Sequence, residues 1–245
     1  EPWAHSASDM KNVWKGVSED FAPFNINVTT DRSVFENAPF DKKMQVIITP
    51  TDQWYKNGSA GGVAMLWSFG SGRPCWDFQG SKEWVMNTAS HEVDHTLGLY
   101  HDGDADWAYY TGHGQGKTAW RPIMGTAYQP VTQWSKGEYK DADNQEDDVK
   151  IISSSYHGFG YVADDYKNKI SRATELTKRK TTGVIHKQSD SDCFKFTPGE
   201  GSVKIKIKAR AKYKNLDVRV ALYDANGNLL DDKNPQDSFN VILNI

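Results

Sequence analysis

The stretch HEVDHTLGLYHD, His91 to Asp102, places three histidines, a glutamate and a glycine within twelve residues. His91 and His95 are four residues apart, so on a helix their imidazoles share one face and aim at one point. Glu92 projects about 100° round the helix from His91, near enough to reach a water on a metal without displacing a histidine. Gly98 can adopt the left-handed conformation that ends a helix and turns the chain back. His101 can then bring a third nitrogen, leaving a fourth position open. Three protein ligands with an open position is the catalytic zinc arrangement, whereas a structural zinc site is closed by four. Residues fixed in type at these five positions arise by chance in roughly one chain in 10⁵ of this length.

Outward from this stretch, SKEWVMNTASHEVDHTLGL reads as one long helix that ends at Gly98. GGVAMLWSF, the strand signal directly before this helix, reads as a strand, as do FNINVTT and MQVIITP. SASDMKNVWKGVSEDFAPF carries apolar residues at Met10, Val13, Trp14, Val17 and Phe21, which is helical spacing closed by Pro23. Ser135 is placed to cap a helix over KGEYK, and Asn144 to cap one over QEDDVKIISS.

From Cys193 onward the pattern is strand: CFKFT and VKIKIKA alternate strictly, LDVRVALYD nearly so, and DANGN is a hairpin turn. The alternating lysines are expected to face solvent. Composition also changes between the two halves. All nine tryptophans lie between Trp3 and Trp134, and the net charge is −8 over 1–160 but +5 over 161–245. Such a shift marks a domain boundary, expected near Tyr161–Lys169. With a net charge of −3, nothing suggests a nucleic-acid partner, and no apolar run is long enough to span a bilayer.

The pattern HExxHxxGxxHD resembles the metzincin zinc peptidases, and RPIMGTAYQP supplies the methionine turn such a resemblance implies, with Met124 as an apolar floor under the imidazoles. EDFAPFNINVTT, ITPTDQWY and TQWSKGEY are similar to a group of secreted bacterial metzincins. The tail, from ADDYKNK through CFKFT to LYDANGNLL, resembles the bacterial pre-peptidase C-terminal domain, a small β-sandwich appended to secreted peptidases. The resemblance implies an α/β (α+β) catalytic domain over 1–160, with a twisted mixed sheet and an active-site helix, and an all-β sandwich over 161–245. It implies a secreted, extracellular, monomeric zinc endopeptidase acting on proteins or peptides, with His91, His95 and His101 as zinc ligands and Glu92 as general base. The segment GTAYQPVTQW after Met124 would wall the pocket for the residue following the cleaved bond, with Tyr128 lining it. A different class stays open: a non-catalytic zinc-binding adhesion protein whose sandwich binds carbohydrate or a cell surface.

Further residues carry weaker expectations. Asp102, Asp104 and Asp106 alternate in a glycine-bearing loop and offer oxygens to calcium, without the glycine and glutamate that complete an EF-hand loop. Asp94 stands where the family usually has a small residue; about 60° from His91, it is expected to be partly buried with a hydrogen-bond donor or an opening to water. Cys75 and Cys193 allow one disulfide joining the two halves, or two free thiols.

Overall fold

The computed structural model describes residues 3–56, 58–126, 129–209 and 212–245. Its centre is helix α3, Lys82–Leu97, preceded by helices α1, Ala7–Asp20, and α2, Arg32–Asn37. Helix α3 begins where Ser81 Oγ accepts from the Trp84 N–H, with Glu83 in the first turn, and stops at Gly98 with φ +98°. Helix α1 lies against it and starts on the Ser6 side chain, which accepts from the Asp9 N–H. The core joins Val13, Val17 and Phe21 of the α1 side to Val85, Met86 and Ala89 of α3, with Leu97, Leu99, Ile123 and Met124 around them.

Three short strands form a mixed sheet beside α3: β1, Val46–Ile48, β2, Gly62–Val63, and β3, Cys75–Asp77. The order is β1-β3-β2, with β1 parallel and β2 antiparallel to β3, so β2 is an edge. A parallel pair follows, β4, Trp120–Pro122, with β5, Val131–Gln133, and then helix α4, Asp148–Ile152. The chain is a mixed α/β protein with small sheets and few helices.

The rest is strand: β6, Thr174–Glu175, pairs with β7, Phe194–Lys195; β8, Lys204–Lys208, with β11, Asn240–Asn244; and β9, Val220–Tyr223, with β10, Leu229–Lys233. Ile205 and Ile207 turn inward to Val218, Val241 and Leu243, while Lys204, Lys206 and Lys208 are exposed, as the alternation predicts. This half also grips the first. Asn215 donates to Asp20, Gln133 donates to the Asn215 carbonyl, and the Lys117 N–H donates to Asp237 Oδ1 at 2.5 Å.

Four sequence expectations are corrected. FNINVTT is not a strand: Phe24 makes a single bridge to Tyr161, Asn25 bonds the Gly160 carbonyl, and no ladder continues beyond them among the described residues. GGVAMLWSF pairs only at Gly62–Val63, after which the chain turns, with Trp67 at φ +61°. KGEYK forms no helix, because Ser135 Oγ accepts from the Gly137 N–H and closes a turn instead. The later helix starts at Asp148, capped by Asp147 rather than Asn144. Cys75 and Cys193 are free thiols. Cys75 is shut inside the small sheet, whereas the Cys193 backbone bonds Lys167 and Thr174 in the second half. Among the described residues, no helix is long and apolar enough to cross a membrane.

Candidate metal centre

The left-handed turn at Gly98 lets its N–H bond the His95 carbonyl at 3.0 Å and the Leu99 N–H bond the Asp94 carbonyl at 3.0 Å. The loop before β3 caps the same helix end, with the Trp67 N–H on His95 O and the Phe69 N–H on Thr96 O. Buried His157, a residue the sequence did not single out, places its Nε2 2.8 Å from the Leu97 carbonyl. A Cβ on Gly98 would lie 2.5 Å from the Trp67 ring, so this turn needs glycine for space as well as for φ. Past the turn, the Asp102 N–H bonds the Met124 carbonyl at 3.0 Å, tying the histidine loop to the methionine segment.

His91, His95 and His101 thereby bring one ring nitrogen each to within 4.8 Å of one another. His91 Nδ1 lies 3.0 Å from the Ile123 carbonyl and His95 Nδ1 lies 2.8 Å from the Leu99 carbonyl. A carbonyl can only accept, so both Nδ1 atoms carry the proton and both Nε2 atoms keep the lone pair a metal requires. His95 Nε2 and His101 Nε2 are 2.9 Å apart. Burial, then the neighbouring histidines, holds His91 well below the usual imidazole range; burial lowers His95, and burial with His95 brings His101 to about 4. All three are neutral at pH 7, which is the ligand form. Three neutral imidazoles suit zinc and its first-row neighbours, so the residues fit a metal ion.

Glu92 is nearly buried beside the triad and is not one of the converging groups. Among the protein's own groups, burial and then Asp77 push its carboxyl up to about 8. Met124 is fully buried in the core. Tyr128 lies outside the described residues.

The structure does not bring Asp102, Asp104 and Asp106 to one point. Asp104 Oδ1 accepts from the Asp106 and Trp107 N–H groups, which is a local turn, while Asp102 is fully buried and Asp106 exposed. The carboxylates that do converge among the described residues are Asp164, Asp165 and Asp192. Asp94 is fully buried, not partly, and neither of its oxygens has a hydrogen-bond partner among the described residues. Burial first, then Asp148, Asp20 and Glu92, drives its carboxyl well above the ordinary range.

Several supporting residues carry no local signal in the sequence. Asn144, expected as a helix cap, donates from Nδ2 to the His101 carbonyl at 3.2 Å. Buried Arg121 donates to the Pro122 carbonyl at 2.8 Å, and also to the Ile123 carbonyl that holds His91. No family model, curated protein or solved structure matches the chain.

Proposed function

We propose that this protein is a secreted zinc-dependent endopeptidase of metzincin type, with residues 1–160 as its catalytic unit and 161–245 as an appended β-sandwich. One observation carries the reading: three neutral imidazoles converge while a buried glutamate, outside the ligand set, stands beside them. The methionine turn and the sequence resemblance support it. The protein acts as a monomer on protein or peptide chains.

Zinc held by His91, His95 and His101 would supply Lewis acidity and a water that loses its proton near neutral pH. With the ion bound, Glu92 would act as general base, its carboxylate accepting a proton and delivering it to the departing amine nitrogen. A nearby divalent charge opposes the effect of burial on Glu92 and favours the ionised form a base requires. Edge strand β2 offers its free backbone groups to an extended substrate by β-augmentation, and Gly62 sets that backbone against Glu92.

The test combines metal analysis with digestion of casein and of a proteome-derived peptide library, with and without chelator. One zinc per chain is expected, with activity that chelation abolishes; Glu92→Ala keeps the metal and loses the activity. Absence of bound zinc, or an Ala variant that retains most activity, overturns the reading.

A further inference from the structure

We infer that Tyr109 is the positioning residue of the third metal ligand, holding the His101 ring by a tilted ring-to-ring contact where the other two ligands use a hydrogen bond. The inference rests on the metal reading of the triad. His91 and His95 are fixed twice, by the backbone of α3 and by an Nδ1 bond to a carbonyl. His101 stands beyond the helix, after the turn at Gly98, and no hydrogen bond to its Nδ1 is found among the described residues. Its ring orientation therefore needs another support. The Tyr109 ring supplies one: its centroid lies 4.1 Å from that of His101, tilted 37°, and 6.2 Å from that of His91, tilted 26°.

Such a contact constrains only if the tyrosine is itself held. The next residue is anchored on three sides. The Tyr110 N–H bonds the Asp102 carbonyl at 2.6 Å, its carbonyl accepts from the Thr126 N–H at 3.0 Å, and its ring stacks on Tyr139 at 4.1 Å. Tyr109 is thus presented from a fixed backbone, with its ring on the ligand and part of its surface exposed. Groups that orient a metal's ligands commonly contribute about 10–100-fold to metal affinity.

Zinc affinity of the full chain, measured by competition with a chromophoric chelator, tests this without an activity assay. Tyr109→Ala is expected to bind zinc about tenfold or more weakly, while Tyr109→Phe, which keeps the ring, stays within about threefold of wild type by the same reasoning. Thermal melts in chelator should be the same for all three chains, because Tyr109 is partly exposed and outside the core cluster. Cobalt(II) spectra add a second readout: the Ala variant should change the ligand-field bands and the Phe variant restore them. Equal zinc affinity in the Ala variant overturns the role of Tyr109 and leaves the proposed function standing. A Phe variant as weak as Ala also overturns it, since the hydroxyl and not the ring would then matter. A wild-type chain that binds no zinc removes both readings.

Discussion

Gly62 of the edge strand and Glu92 of the metal-site helix leave no room between them: a Cβ on Gly62 would lie 2.6 Å from Glu92 Oε1 and 2.7 Å from its Cγ. Thr88 Cγ2 closes the third side at 2.7 Å. The position has no left-handed backbone, so alanine fits the strand and the disturbance falls on the Glu92 and Thr88 side chains. Gly62→Ala should therefore displace Glu92, the proposed general base, while leaving the three histidines alone. A displacement near 1 Å can cost on the order of 100-fold in rate. The expected result is a fall in kcat of about ten- to a hundredfold with zinc content unchanged; a variant of wild-type activity would show that Glu92 is not held by this strand.

The helix of the candidate metal site and the convergence of its histidines are legible in the sequence because all the information is local. Ser81, the four-residue histidine spacing and Gly98 lie on one continuous element and its turn. What surrounds them is not local. The Ile123 carbonyl, Asn144 and Tyr109 reach the ligands across turns, and none belongs to a periodic pattern. FNINVTT shows a different failure. Alternation reports which side chains face inward, whereas a strand also needs a neighbouring backbone, and among the described residues only Phe24 and Asn25 find one, at Gly160–Tyr161. Ser135 and Asn144 have capping chemistry, but the same side chains serve equally well in turns, and tertiary contacts decide which use prevails.

Asp20 should make stability depend on pH. Its carboxyl accepts from Ser90 Oγ at 2.5 Å and from Asn215 Nδ2, which links α1, α3 and the second half. Burial pushes it up to about 7, with Ser90, Asn215 and Arg121 pulling the other way. The folded value is raised above the unfolded one, so the native state keeps a proton that the unfolded chain has released. The resulting stability is complete below about pH 4, and is lost as pH rises through about 7. The full difference is on the order of 4 kcal/mol. Asp20→Asn should flatten the pH dependence of urea unfolding between these limits and be the more stable chain at pH 8. Parallel curves for the two proteins would show that Asp20 does not carry the proton.

The two thiols should differ sharply in reactivity. Cys75 has no exposed surface, and burial, followed by the charge of Glu92, raises its thiol far above the usual range. Cys193 is only half-buried, and its thiol is raised by burial and Asp192. A thiol reagent applied to the native protein should label Cys193 first, and both cysteines after unfolding without reductant. Failure to find two thiols in the unfolded chain would establish a bridge and refute this arrangement.

Asp94 gives the most direct test of how the metal-site helix is packed. A helix this close to its neighbours normally turns apolar side chains inward, yet here a carboxyl whose two oxygens have no hydrogen-bond partner among the described residues is fully buried, within electrostatic reach of Asp148 and Asp20. Whether charged or protonated, such a group costs free energy that a methyl group does not. Alanine is also the strongest helix former. Asp94→Ala should accordingly raise unfolding free energy at pH 7 by about 1–3 kcal/mol, measured by urea denaturation in chelator so that metal binding does not contribute. Fully buried on the flank of the histidine stripe opposite Glu92, it is shut away from water and substrate, so peptidase turnover should stay within roughly tenfold, a barrier change of about 1.4 kcal/mol. A loss of stability would mean that the carboxyl has a partner which it holds in place. A thousandfold fall in turnover with zinc fully bound would place Asp94 in the chemical step, and the assignment of Glu92 as sole base would fail.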